Sequence, residues 1–274
     1  MGRASVVARA LGRDRALVGM VHVPALPGSP ASRMTLRAIR AHVAAEAGVL
    51  AKAGFDAVLI ENMHDAPYTT VHHPAVVAGM TAAGLAARDA APDLPLGVQV
   101  LAAGNREALA VALACGGAFV RCENFVFAHV ADEGLMPTAE AGELLRYRRS
   151  IGAEGVAVFA DLKKKHASHA ITADVSLAEA CHAAEFFRAD GVIVTGAHTG
   201  DPASEEDLGT ARRACGGRLP VLVGSGATPE NVGAMLRVAD GVIVGSSLKR
   251  GGHWTGPLDA KRCAAVVKAA DRAR

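Results

Sequence analysis

The sequence predicts a single α/β domain folded as a (β/α)8, or TIM, barrel, and three observations carry that prediction. The text Ala-Asp-Gly-Val-Ile-Val occurs at 189–194 and again at 239–244. Each copy is a Gly-interrupted, β-branched apolar run with the length of a parallel strand buried on both faces. Six weaker strand texts, at 16–22, 55–62, 96–101, 117–123, 155–161 and 220–224, bring the set to eight, spaced about 34 residues apart with helical text between them. No Gly-x-Gly-x-x-Gly follows the first strand, which weakens the competing doubly wound sheet. No linker or composition break divides the 274 residues, so one domain is expected, with 1–15 as an N-terminal extension.

The intervening segments read as helices. Ile39, Val43, Ala47 and Leu50 form one stripe of a helix over 36–53. Further helices are expected at 74–90, 106–115, 138–151, 174–188, 204–215, 229–238 and 258–270. Thr138 with Glu140 and Glu143 marks one start, and Thr228-Pro229-Glu230 another, with Pro at the first helical position. Ala53-Gly54 and Cys215-Gly216-Gly217 mark stops.

Composition narrows the partners. Hydrophobic residues make up 51% and charged residues 20%, enough for a large core. With 29 Lys+Arg against 27 Asp+Glu there is no global field to attract nucleic acid, and no such partner is expected. Five cysteines without a CxxC spacing argue against a disulfide framework and for a reducing compartment. No signal sequence or transmembrane segment is legible, so the expected location is cytoplasmic. Barrels of this size commonly associate, so a homo-oligomer is expected, although no interface is legible.

In a barrel, chemistry sits where strands end. Strand one ends at His22, followed by a stiff Pro/Gly loop in which Gly28 serves backbone shape. Strand two ends in Glu61-Asn62-Met63-His64-Asp65-Ala66-Pro67-Tyr68, polar groups that need partners or a ligand after an apolar strand. Strand three ends near Gln99. Strand four ends in Arg121-Cys122-Glu123-Asn124, which sets Glu123 across the mouth from Glu61, with Arg121 placed to neutralise Glu61. Paired carboxylates suit acid/base work or a divalent cation. Strand five runs into Asp161-Leu162-Lys163-Lys164-Lys165-His166. Strict alternation puts Asp161 and Lys163 on the lumen face, and Lys165 too if the strand continues. Such a lysine can shuttle protons or, with a depressed pKa, act as a Schiff-base nucleophile. Strand six runs into Thr195-Gly196-Ala197-His198-Thr199-Gly200-Asp201, a small polar loop.

The last two strands carry the most specific signal. Gly224, Ser225 and Gly226 follow strand seven, and Gly245 and Ser246 follow strand eight. Glycine turns here let backbone N–H groups converge on an anion beside a helix N-terminus, the usual phosphate position of such barrels. Lys249 and Arg250 are placed to add charge. The cysteines read as core fillers, with Cys122 the exception because it adjoins Glu123.

The motifs GMVHVPALPGSP (19–30), ENMHDAPY (61–68), ADLKKKHA (160–167), VTGAHTG (194–200) and VGSGATPENV (223–232) closely resemble the BtpA/SgcQ family, over residues 16 to 270. That resemblance implies a TIM barrel of the phosphate-binding group. One cyanobacterial branch is associated with photosystem I biogenesis, and another sits among sugar-metabolism proteins. Asp161-x-Lys163 is similar to the DxKxxD motif of orotidine-monophosphate-decarboxylase-like barrels. Position 166 is His166, however, and the motif lies on strand five, so that activity is not carried over.

The sequence therefore predicts an enzyme acting on a small phosphorylated sugar or ribosyl compound by acid/base chemistry, as an isomerase, epimerase or lyase. His22, Glu61, Asp65, Glu123, Asp161, Lys163 and His166 are its catalytic candidates, and Gly224, Ser225, Gly226, Gly245 and Ser246 its phosphate-binding candidates. No cofactor site is legible, and a divalent cation held by the carboxylates and His166 stays open. The alternatives are a non-catalytic assembly or stability factor and a metal-dependent hydrolase.

Overall fold

The computed structural model describes residues 3–196 and 200–274. Helix α1 (Arg3–Leu11) precedes β1 (Ala16–His22), and three units follow: α2 (Leu36–Ala53) and β2 (Ala57–Glu61), α3 (Pro74–Ala90) and β3 (Leu96–Gln99), α4 (Asn105–Ala114) and β4 (Phe119–Cys122). A hairpin, β5 (His129–Ala131) and β6 (Gly134–Met136), interrupts the repeat before α5 (Ala141–Ser150) and β7 (Ala157–Leu162). The short β8 (Ala167–Ser168) precedes α6 (Leu177–Phe186), β9 (Gly191–Val194) and α7 (Glu205–Cys215). The chain ends with β10 (Val221–Val223), α8 (Val232–Val238), β11 (Gly241–Val244) and α9 (Ala260–Asp271). Eight parallel strands close a barrel in the order β1-β11-β10-β9-β7-β4-β3-β2, while β6, β5 and β8 form a separate antiparallel sheet. The (β/α)8 expectation holds.

The side chains divide by parity. Leu17 and Val21 of β1, Val58 and Ile60 of β2, and Val158 and Ala160 of β7 face the helical layer. Their alternates, including Val18, Leu59, Phe119, Phe159, Leu222 and Ile243, fill the lumen. Gly97 makes room for this filling, because a Cβ there would lie 2.2 Å from Cζ of Phe119. Continuing the same parity past the last apolar lumen residue gives His22, Glu61, Gln99, Arg121, Asp161 and Gly224. A polar layer thus caps an apolar barrel, and only at the C-terminal ends of the strands.

The other end is closed by α1. Val6, Val7, Ala10 and Leu11 pack into the lumen cluster, so the segment read as an extension is a plug. Its apolar residues do have helical spacing, diluted in the sequence by interleaved arginines. Two helix starts also differ from expectation. The Thr138 carbonyl accepts from Asn124 Nδ2 at 2.6 Å, and α5 begins only at Ala141. Thr228 N donates to Asn231 Oδ1 at 2.7 Å, building a turn, so Pro229 precedes α8 rather than opening it. The turn read after the sixth barrel strand includes Ala197, His198 and Thr199, which lie outside the described residues. Among the described residues no helix is long and apolar enough to cross a membrane.

Leu11 is fully buried in the plug. Leu11→Ala should cost about 2–5 kcal/mol by chemical denaturation. A change of a few tenths would mean that the plug contributes little to the barrel.

Candidate active site

A cavity of about 410 Å³ opens at the C-terminal mouth. His22, Glu61, Glu123, Asp161 and His166 line it, as do Gly224, Ser225, Gly226, Gly245 and Ser246. Sequence positions far apart therefore meet in one place, as parity and barrel closure require.

Two buried ion pairs organise the floor. Arg121 Nε and Nη2 reach Asp161 Oδ2 at 2.9 and 2.8 Å. Arg121, expected to neutralise Glu61, makes its direct pair with Asp161, the inward group of the adjacent strand. Burial acts to lower its pKa, but Asp161 and Glu61 outweigh that and hold the guanidinium charged. The second pair joins Lys164 Nζ to Glu123 Oε1 at 3.1 Å, and Glu123 Oε2 accepts from Ala103 N at 2.9 Å. Burial alone would raise the Glu123 pKa, but Lys164 and the Ala103 amide bring it below the ordinary value. Glu123 is thus a fixed carboxylate.

Glu61 differs. It is 7% exposed, and among the described residues its carboxyl has no hydrogen-bond partner. Desolvation raises its pKa against the pull of Arg121 and Lys165. Lys165 also lines the cavity without a described ion pair, and burial followed by repulsion from Arg121 lowers its pKa. His22 is fixed as a neutral imidazole. Its Nδ1–H donates to the Trp254 carbonyl at 3.1 Å, leaving Nε2 toward the Gly245 turn. Burial first, then Lys249, pushes its pKa down to about 3. Gln99 Oε1 and Asp161 Oδ1 are buried without a partner among the described residues.

Two sequence candidates lie outside the cavity lining. Asp65 is a structural latch: Oδ1 accepts from Leu26 N at 2.6 Å and Oδ2 from Asn62 Nδ2 at 3.0 Å. Lys163 takes a left-handed backbone (φ 46°), which breaks the alternation that predicted it. It lines a separate cleft of about 20 Å³ beside His129 and His169. Lys164 and Lys165 turn inward in its place. Cys122 is fully buried among the helical-layer side chains, and burial drives its thiol far above the ordinary range.

The glycine turns are backbone-lined. Gly224 N is spent on the Val194 carbonyl at 2.9 Å, whereas the N–H groups of Ser225, Gly226, Ser246 and Ser247 have no carbonyl partner among the described residues. The Ser225 hydroxyl accepts from Gly196 N and donates to the Asp201 carbonyl, both at 2.9 Å, so it ties loops together. Lys249 is not beside the turns. It pairs with Glu46 of α2 at 2.7 Å, and Arg250 is exposed. Arg262 lines the cavity at the turns, and its Nε donates to the Ser247 carbonyl at 2.6 Å.

Arg262 and Trp254 went unread because the chain after β11 folds back over the mouth, which no periodicity announces. The Trp254 ring lies 5.0 Å from that of His64. Lys164 was legible as a residue type but not in orientation, whereas Lys165, placed on the lumen face only if the strand continued, lines the cavity although β7 ends at Leu162. Among the described residues no group of three or more His, Cys, Asp or Glu side chains is arranged to hold a metal. The physical reason at the floor is that Asp161 and Glu123 each already face a protein cation.

Fold and site define a TIM-barrel protein whose buried ionisable groups gather at the C-terminal mouth. The chain belongs to the BtpA family, whose model matches residues 13–272. It is 46% identical over 269 residues to an uncharacterized mitochondrial protein of Caenorhabditis elegans, covering 96% of each chain. It is 37% identical to the photosystem I biogenesis protein BtpA of Synechocystis, covering 92% of this chain and 87% of that one. Among solved structures it is similar to thiamine phosphate pyrophosphorylase of Pyrococcus furiosus, with TM-score 0.56 at 14% identity over 94% and 96% of the chains. It is also similar to N-(5'-phosphoribosyl)anthranilate isomerase of Pyrococcus furiosus, with TM-score 0.52 at 15% identity over 94% and 99%. At these identities the two structures speak to fold alone.

The neutral state of His22 has a pH signature. Between its unfolded value of 6.5 and its folded value of about 3, the unfolded chain carries a proton that the native protein lacks. Stability from this group is complete above 6.5 and is lost as pH falls through that window, by up to about 1.4 kcal/mol per pH unit. Denaturation across this range should show a shallower slope for His22→Gln, and an unchanged slope would contradict the assignment.

Proposed function

We propose that this protein is an enzyme that binds a small phosphorylated sugar or ribosyl compound and transfers protons at its carbonyl or hemiacetal end, as an isomerase, epimerase or lyase. The observation that carries this reading is Glu61: a desolvated carboxyl, without a described partner, at the end of a barrel strand and on the wall of a cavity in which Asp161 and Glu123 are tied to cations. A scaffold gains nothing from burying such a group, whereas a proton donor and acceptor near neutral pH requires it. Gln99 Oε1 and Asp161 Oδ1, without partners among the described residues, support a polar ligand, since buried polar atoms are ordinarily satisfied.

The amides of Ser225, Gly226, Ser246 and Ser247, without a carbonyl partner among the described residues and with the Arg262 guanidinium beside them, support the phosphate end of that ligand. The names of two barrels of similar fold, a thiamine phosphate pyrophosphorylase and a phosphoribosylanthranilate isomerase, are in keeping with such a substrate. In this reading Glu61 moves the proton, Asp161–Arg121 and Glu123–Lys164 supply fixed charges, and His22 Nε2 accepts a substrate hydroxyl. Among the described residues, five free, buried cysteines support a reducing compartment. The name of the Synechocystis relative supports a second reading, an assembly role, in which cavity variants would leave function intact.

Calorimetric titration with inorganic phosphate and ribose 5-phosphate should show competing binding, weakened about tenfold (1.4 kcal/mol) by Arg262→Ala. Glu61→Gln should retain that binding and lower solvent-deuterium exchange into a turned-over phosphosugar by about 10²–10⁴-fold. Phosphate that fails to bind, or binds indifferently to Arg262, sinks the reading.

A further inference from the structure

We propose that Lys165 is a covalent nucleophile, forming a Schiff base with the carbonyl carbon of an aldehyde or ketone phosphate. This rests on the phosphorylated-substrate reading above and narrows it to carbonyl compounds. The first support is geometric. The left-handed backbone at Lys163 ends the alternation of β7 and sends the next two lysines inward on different errands. Lys164 goes to Glu123 at 3.1 Å, and Lys165 goes to the cavity wall.

The second support is the accounting of charge. Arg121 is paired with Asp161, Lys164 with Glu123, and Lys249 with Glu46. Among the described residues Lys165 has neither an ion pair nor a hydrogen bond, although it is largely enclosed. A lysine kept in such a place for its charge would be expected to have a carboxylate against it, as the other two do. Burial and the neighbouring Arg121 favour its neutral amine, the form that attacks carbonyls. The third support is Glu61, on the same cavity wall and close enough for each group to perturb the other.

The steps balance with these two groups. The Nζ lone pair adds to the carbonyl carbon, and the carbonyl oxygen takes the Glu61 proton. The cationic nitrogen returns a proton to the Glu61 carboxylate, completing the carbinolamine. Glu61 then protonates the hydroxyl, which leaves as water while the nitrogen pair closes the C=N bond. The sum is amine, carbonyl and one Glu61 proton converted to iminium, water and Glu61 carboxylate. That carboxylate is the base for the next step, removal of a proton from the carbon beside the iminium, or from a hydroxyl whose loss of a proton breaks a carbon–carbon bond.

The test is borohydride trapping of the full chain with glyceraldehyde 3-phosphate, dihydroxyacetone phosphate and ribose 5-phosphate, read by intact mass and peptide mapping, with calorimetry of the same three compounds in parallel. At least one should leave a reduced adduct on Lys165, prevented by excess inorganic phosphate, lost in Lys165→Arg and kept in Lys163→Arg. Binding without an adduct overturns the proposal and leaves the phosphosugar reading standing. Adducts spread over surface lysines, or retained in Lys165→Arg, also overturn it. Absence of binding by all three compounds overturns both.

Discussion

The site depends on one buried interaction, the two-nitrogen contact of Arg121 with Asp161 Oδ2. Both side chains point into the lumen from adjacent strands, and both are almost wholly withdrawn from water. Removing two charges from water costs several kcal/mol per ion, and their attraction repays it only with good geometry and further hydrogen bonds. Here Arg121 also reaches toward the Gly224 carbonyl, at 3.5 Å, which joins the floor to the glycine turn on the far side of the barrel. Gly224 in turn has no room for a side chain, because a Cβ would lie 2.8 Å from Thr195 Cγ2 and 3.4 Å from Arg121 Nη2. The Lys164–Glu123 pair extends the same arrangement along the wall. With Asp161 and Glu123 matched to Arg121 and Lys164, Glu61 and Lys165 stand on the cavity wall with a proton affinity governed first by enclosure.

The glycine turns are held from outside the barrel. Lys249 is 1% exposed and reaches through the helical layer to Glu46 of α2. Glu46 Oε1 also accepts from Leu258 N at 2.9 Å, anchoring the segment that carries Trp254 across the mouth. After β2, Asn62 binds both the amide and the carbonyl of Leu101, at 2.7 and 3.3 Å, and Asp65 pins the loop after β1 through Leu26. These residues are polar and near the chemistry, yet their hydrogen bonds go to backbone and to one another. They are the frame in which the cavity is cut.

Much of this was legible in the sequence. Strand parity is a local property, so Glu61, Asp161 and the glycines after the last two barrel strands could be placed from period-two alternation and barrel closure alone. The motifs at 19–30 and 61–68 led to the family, and the family model matches nearly the whole chain. What escaped depends on departures from regular backbone or on long-range folding. A positive φ at Lys163 took that lysine out of the cavity lining and brought Lys164 in, while Lys165 kept the inward place that continued alternation gave it. Asp65 carries the same chemistry as Glu61 but finds the Leu26 amide, which is 39 residues away in sequence. Trp254 and Arg262 enter the site only because the chain after β11 turns back, and Lys249 leaves it because Glu46 waits in the helical layer.

The central claim, that enclosure leaves Glu61 with a raised proton affinity, is open to direct measurement. Infrared difference spectra of protein carrying carbon-13 glutamate, taken along a pH titration of the wild type and of Glu61→Gln, report the protonated carboxyl itself. The account predicts carboxylic-acid absorption that persists above the range in which ordinary glutamates ionise and that loses a component in Glu61→Gln. Ionisation of every glutamate in the ordinary range, or high-titrating absorption that is identical in the wild type and in Glu61→Gln, would contradict it.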